Sequence, residues 1–482
     1  MTQATIDPSA LRLFEQLLGP KGFTTNPDDI APWLTDWRKR YHGASPALLA
    51  PANTAEVAAV VRIADEHHVP LVPQGGNTSM VGGATPPGDG SALILSLRRM
   101  NRIRSISAEA DQAVCEAGVI LSTLHDAAGQ VGRRFPLSLG AKGSATIGGL
   151  ISTNAGGTQV LRHGTMRGLV EGLEAVLPDG SVYEGLAPLR KDNRGYDLRH
   201  LLIGAEGTIG IVTAATLKLA PPISRSVTAW IGVGRPHDAL ALLRTLERRF
   251  GPIIETFEVM AADCVGNVLA HIPGARLPID TPAPWHVLIE FDLSAEGDDA
   301  ATHIEQALAG MLSDAATGGL DAAIAQSEAQ VQSFWRLRET ISEAERASGP
   351  ALQFDVSVPV QAMPDFMIRT ATAAEAHFPR TSASSFGHLG DGNVHFHVRA
   401  PTGASAQWVD ENGTAVTRFV HDCVVAAGGS ISAEHGIGQM KRAELARLSS
   451  AARLTALRGI KTALDPRGIM NPGKLIPLAS EG

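Results

Sequence analysis

Gly387-His-Leu-Gly-Asp-Gly-Asn-Val-His-Phe-His397 gathers three imidazoles around a turn, and Glu434-His435 adds a carboxylate and another imidazole further along. The Gly-Asp-Gly-Asn core is turn chemistry. His395 and His397 stand two apart on a predicted strand, so they share one face, and the turn can bring His388 toward His395. Imidazoles with a carboxylate suit zinc or a similar divalent cation. Such a cation, with an open coordination position, acidifies a substrate hydroxyl. The chain has 16 histidines, so one His-x-His pair is explained as readily by core or surface packing. The turn together with Glu-His favours a metal centre. The same cluster would also serve a metallohydrolase that activates water.

A second set of residues points elsewhere. Of the 50 glycines, many fall between Gly75 and Gly210. They form three dense segments: Pro73 to Gly83, Pro136 to Gly164, and Gly204-Ala-Glu-Gly-Thr-Ile-Gly210. Paired glycines let backbone N–H groups converge on an anion, and Thr78 and Ser79 add hydroxyl donors, a combination suited to a pyrophosphate. A tight turn explains any one segment equally well. Three in one domain point to a nucleotide. A nicotinamide site of the Rossmann type is excluded, because no segment has Gly-x-Gly-x-x-Gly between a strand and a helix. A third candidate is Phe334-Trp-Arg-Leu-Arg-Glu-Thr-Ile-Ser-Glu-Ala-Glu345, predicted as one helix with Arg338 and Ser342 on one face. A solvated helix face is the ordinary fate of such an arginine.

The elements that must position these residues alternate. Leu11, Phe14, Leu17 and Leu18 recur at helical spacing. Asn53 caps a helix running to His67. Strands are predicted around Leu71, Leu93 and Val114, then a helix from Leu121 to a glycine stop. A β-branched strand after Gly210 ends at Pro221-Pro222, where a domain boundary is expected. Beyond it, strand-like runs (His286 to Leu293, Gln353 to Val360) alternate with Ala-rich helices. Ala404 to Ala427 and Glu444 to Leu464 each read as helical. The expected division is 1–44, an N-terminal helical segment; 45–222; 223–428; and 429–482, returning to complete the site.

The three glycine segments together resemble the FAD-binding domain of the vanillyl-alcohol oxidase and p-cresol methylhydroxylase superfamily, and Asn-Pro-Gly-Lys-Leu475 fits its dehydrogenase branch. The Gly-His-x-Gly-Asp-Gly-Asn-x-His and Glu-His-Gly patterns resemble the D-2-hydroxyglutarate and D-lactate dehydrogenases of that branch. The resemblance implies an α+β chain: a p-cresol-methylhydroxylase-type FAD domain of two α/β subdomains, an α+β substrate domain with an antiparallel sheet, and C-terminal helices returning to the FAD domain. It places Pro73, Gly75, Gly76, Asn77, Thr78, Ser79 and Gly82 at the pyrophosphate. Pro136, Thr146, Gly148, Gly149, Thr153, Asn154, Gly156 and Gly164 would line the flavin and its chain. Glu206, Gly207 and Ile211 would contact the rest, and Asn471 would approach the isoalloxazine. Some members tether FAD through a histidine; Gln74 stands in the first segment here, which implies non-covalent FAD.

The resemblance further makes His388, His395 and Glu434 ligands of a divalent metal, zinc by its donors, and His435 the general base. Arg338, Ser342, Gln353 and His397 would meet the substrate. The implied reaction is oxidation of a D-2-hydroxy acid to the 2-oxo acid by hydride transfer to flavin N5, with metal-assisted deprotonation of the 2-hydroxyl. The electrons would pass to an electron-transfer flavoprotein, a quinone or a cytochrome. Two positions depart from the 2-hydroxyglutarate enzymes: Gln353 replaces a Lys, and His397 replaces an Asn. Glutamine cannot supply the lost charge, which favours a monocarboxylate such as lactate. An oxygen-using oxidase, a glycolate-oxidase-like subunit and a flavin electron carrier without substrate remain open.

Composition sets outer limits. Lys plus Arg number 41 and Asp plus Glu 49, a net charge of −8 without basic runs, so there is no electrostatic footprint for nucleic acid. Cys115, Cys264 and Cys423 lie far apart, which excludes a disulfide framework or thiolate zinc motif and fits a reducing, cytoplasmic setting. No run spans a bilayer, leaving peripheral membrane contact open. A homodimer is the default expectation for assembly.

Overall fold

The structure, a computed structural model, describes residues 6–297, 299–312 and 319–477. It divides into two compact units: Met1–Gly157 with His163–Pro222 and Glu434–Gly482, and Thr158–Arg162 with Ile223–Ala433.

The first unit holds two sheets. In one, Leu48–Leu49, Leu93–Ser96 and Leu71–Gln74 pair in parallel, with Phe23–Thr24 antiparallel at the edge. These strands read as near-continuous apolar runs because both faces are covered. The other sheet is antiparallel, ordered Ile103–Ser107, Gln112–Glu116, Ile211–Lys218, Val170–Val176, Val182–Gly185. Helix Pro8–Gly22 sends Ala10, Phe14 and Leu18 into one core with Val57, Val61 and Leu71. Asn53 caps Thr54–Glu66 by accepting from the Glu56 N–H.

The second unit is built on a seven-stranded antiparallel sheet, ordered Gly319–Ile324, Ser226–Val233, Trp285–Asp292, Ile254–Ala261, Ser382–His388, Asn393–Arg399, Ala351–Ser357. Its two faces differ because side chains alternate along each strand. One face carries Phe257, Val259, Val394, Phe396 and Val356 into a large apolar core. The other carries Glu258, Met260, Phe386, His388, His395 and His397. Part of that face is covered by helices Ala262–His271, Glu328–Glu339 and Ile341–Ala347, which contribute Val265, Phe334, Leu337 and Ile341 to a second core.

Two expected helices are broken. The stretch through Arg338 and Ser342 is two helices that meet at Thr340, whose φ of −89° and ψ of 1° leave the helical region. The Thr340 hydroxyl donates to the Arg336 carbonyl, the back-bonding that bends helices at threonine. Consequently Arg338 is buried and Ser342 exposed, and the two do not share a face. The tail is likewise Arg442–Leu448 and Ala451–Leu464, because Ser450 caps the second by accepting from Arg453 N–H.

Candidate functional site

The glycine segments of the first unit enclose a cavity of about 560 Å³. Its walls include Pro73, Gly75, Gly76, Asn77, Thr78 and Ser79 from the first segment. The second adds Thr146, Gly148, Gly149, Thr153 and Gly156, and the third Glu206, Gly207 and Ile211. Glu434 and His435 also line it. Glycine is required at close approaches. A Cβ on Gly75 would lie 2.1 Å from Thr146 Oγ1, and one on Gly76 would lie 1.8 Å from the Ser144 carbonyl oxygen. Thr146 Oγ1 is buried and has no hydrogen-bond partner among the described residues.

Gly82, Pro136, Asn154, Gly164 and Asn471 are not among the walls of this cavity. Asn154 ends helix Ile147–Thr153 in the left-handed region (φ 50°), and its side chain accepts from Arg167 N–H at 2.9 Å. Asn471 donates to the carbonyls of Gly83 and Glu206, at 3.0 and 2.7 Å, and so ties the first segment to the third. Gln74 is buried and donates to the Trp33 and Ala84 carbonyls.

Glu206 does more than line a wall. Its carboxylate accepts from Ile437 N–H at 2.7 Å and Gly438 N–H at 2.8 Å, fixing the loop that begins at Glu434 and His435. Burial raises its pKa, opposed by those two N–H groups and by Lys441 and Lys474. Burial, with Arg442 nearby, pushes Lys474 down to about 8.

In the second unit the sheet register sets the polar face. His395 lies opposite Phe386 and Asp355; His397 lies opposite Ser384 and Gln353; His388 lies opposite Glu258 and Asn393. The His388 and His395 rings stand 5.8 Å apart between centroids. His397 packs edge-on against Phe386 and has Nδ1 3.7 Å from Glu345. Arg338 lies over the Phe386 ring, 4.7 Å from its centroid.

Sequence analysis assigned no role to three carboxylates near this face. Glu258 is fully buried; it accepts from Arg338 Nε at 2.6 Å and pairs with His388 Nδ1 at 2.5 Å. Burial alone would raise its pKa, but Arg338 and His388 hold it down at about 2. Glu345, also fully buried, takes two hydrogen bonds from Arg399, at 3.0 and 2.6 Å. Burial opposes its ionisation, yet His397 and Arg399 bring it down to about 2. A glutamate at an alternate position inside the apolar strand Ile254–Ala261 was the available signal for Glu258. Asp391, in the turn, is pushed up by burial, with His388 opposing.

Residues 45–185 match the FAD binding domain model, and residues 224–475 match the model of the C-terminal domain of FAD linked oxidases. The chain belongs to the FAD-linked oxidases, a family of flavin-dependent oxidoreductases. Over 477 residues it is 37% identical to the mitochondrial D-2-hydroxyglutarate dehydrogenase of Arabidopsis thaliana, covering 98% of this chain and 82% of that one. It is 37% identical to the D-2-hydroxyglutarate dehydrogenase of Xanthomonas citri pv. viticola, covering 97% of each. Its fold is that of p-cresol methylhydroxylase, solved with substrate bound: TM-score 0.74 at 17% identity, covering 97% of this chain and 96% of that one.

Proposed function

We propose that this chain oxidises a D-2-hydroxy acid to the 2-oxo acid, with FAD held non-covalently and a divalent cation, zinc by its donor set. The observation that carries this reading is the cavity of about 560 Å³ whose walls combine glycine segments with His435. Its residues suit FAD. Gly75 and Gly76 leave no room for a side chain, and the buried Thr146 hydroxyl lacks a partner that a ligand would supply. An unmet buried hydroxyl costs roughly 1–3 kcal/mol. Gln74, committed to two carbonyls, offers no tether.

For the cation, His388, His395 and Glu434 would supply the nitrogen and oxygen donors that zinc favours. When bound, FAD supplies the electron acceptor and the cation draws charge from the substrate hydroxyl. His435 takes the hydroxyl proton. Arg338 gives Nε to Glu258, and the ends of its planar fork would take the substrate carboxylate.

The guanidinium groups on the polar face, Arg338 and Arg399, both already face buried carboxylates. With Gln353 beside His397, this favours a substrate with one carboxylate. The names of the relatives favour a second reading, D-2-hydroxyglutarate itself. The electrons taken from the substrate would go on to a flavoprotein, quinone or cytochrome partner.

Anaerobic mixing of the yellow protein with a panel of D- and L-2-hydroxy acids tests the reading. Flavin absorbance should fall with D-acids. A colourless protein that takes up no flavin would sink it, and yellow protein bleached by none of them would leave only an electron carrier. Chelation should abolish turnover and zinc restore it; indifference to chelators would remove the cation from the scheme.

A further inference from the structure

Glu258 sits on the central strand of the seven-stranded sheet with no exposed surface. Its two carboxylate oxygens have different clients. Oε1 meets His388 Nδ1, and Oε2 meets Arg338 Nε. The hydroxyl of Thr256 adds a contact to Oε1 at 3.3 Å. Arg338 in turn lies over Phe386, whose ring also meets His395, at 4.9 Å between centroids, and His397 at 5.4 Å. A carboxylate that accepts from Nδ1–H fixes the imidazole tautomer and turns Nε2 outward as a ligand. A carboxylate that holds Nε of a guanidinium sets the plane of its terminal nitrogens.

We infer that Glu258 is a positioning residue that orients the metal-ligating His388 and the carboxylate-binding Arg338 through one side chain. The inference rests on the function proposed above. A purely structural ion pair would not need two clients drawn from opposite roles. Buried pairs of that kind are often replaceable by apolar groups without loss.

The test compares Glu258→Gln and Glu258→Asp with wild type, each loaded with FAD. Zinc affinity is measured by competition with a chelating dye, and KM and kcat are measured separately. Glu258→Gln should keep its flavin, bind zinc about 10–100-fold more weakly, and show a larger rise in KM than loss of kcat at saturating zinc. Glu258→Asp keeps the charge but is one methylene shorter, and should fall between wild type and Gln in both measures. Zinc affinity and KM at wild-type values in folded Glu258→Gln overturn the inference. So does a loss confined to kcat. Should Glu258→Gln fail to fold, the charge-neutral double variant Glu258→Gln/Arg338→Met must still bind zinc more weakly than Arg338→Met alone, and equal affinities overturn the role toward His388. A wild-type chain that takes up no zinc sinks the cation reading together with this inference. Wild type that binds zinc beside variants that bind it equally well sinks this inference alone.

Discussion

The two units build their functional surfaces from opposite materials. In the first unit the cavity is made of missing side chains: Gly75 and Gly76 press against Thr146 and the Ser144 carbonyl, leaving backbone at the wall. In the second, the surface is made of polar side chains from one face of a sheet and the helices over it, each held by a buried partner: Glu258 with His388 and Arg338, Glu345 with Arg399 and His397. A glycine wall is specified by what it excludes, so adding a single methyl group disturbs it. A charged face is specified by pairing, so removing one partner leaves a buried charge unmet. The difference predicts different failures: loss of cofactor in the first unit, loss of stability or selectivity with cofactor retained in the second.

His435→Ala is the sharpest departure from that rule, since His435 is a non-glycine residue lining the glycine cavity. It should keep its yellow colour and lose about 10²–10⁴ in kcat. Near-normal turnover would remove His435 as the base.

Glu345→Gln should destabilise the second unit by about 3–5 kcal/mol, because it strands Arg399 beside a neutral group, while the purified protein stays yellow. The pH dependence follows from the lowered pKa. The folded value is about 2, below the ordinary 4.5, so this carboxylate stabilises the fold fully above about 4.5 and ceases to as pH falls through about 2. Acid unfolding followed by near-ultraviolet circular dichroism should therefore be less steep in Glu345→Gln than in wild type over that interval. Parallel curves would show that Glu345 is not the group responsible.

Gly76→Ala places a Cβ 1.8 Å from the Ser144 oxygen. Overpacking of this kind costs about 1–3 kcal/mol, so FAD should bind roughly 5–150-fold more weakly, read by flavin release on dilution. Full flavin occupancy at wild-type affinity would mean that the segment yields and the wall is not fixed by glycine.

The smallest expected effect is Gln353→Lys. A cation opposite His397 should raise kcat/KM for D-2-hydroxyglutarate relative to D-lactate about tenfold, within the value of a charge-assisted hydrogen bond. No change in that ratio would remove position 353 from substrate selection.

Local patterns were legible in the sequence to the extent that their causes are local. The face shared by His395 and His397 follows from the two-residue period of a strand, and the register confirms that they lie on one side, opposite Phe386 and Ser384. The close approaches of glycine could be expected from density alone. Arg338 and Ser342 were expected to share a face because helical spacing was assumed to continue; one threonine hydroxyl bonding back to Arg336 ends it. Glu258 was not legible because its partners, His388 and Arg338, stand 130 and 80 residues away. Glu206 stands in a loop that could be expected to touch a nucleotide, but its grip on Ile437 and Gly438, 231 and 232 residues on, could not be read from spacing.

That last grip bears on how the chain is made. The first unit is discontinuous: Leu71 forms a parallel bridge with Met470, and the buried Lys461 ammonium donates to the carbonyls of Thr208 and Met470. Nearly all of the second unit, residues 223–433, leaves the ribosome as one uninterrupted stretch before those partners exist. On synthesis from the N-terminus, the later unit in sequence can therefore finish first, while the earlier one waits with the outer edge of Leu71–Gln74 unbridged. A nascent chain arrested before residue 434 would lack His435, the partners of Glu206 and the Met470 bridge together, so the first unit closes only after its third segment has been made.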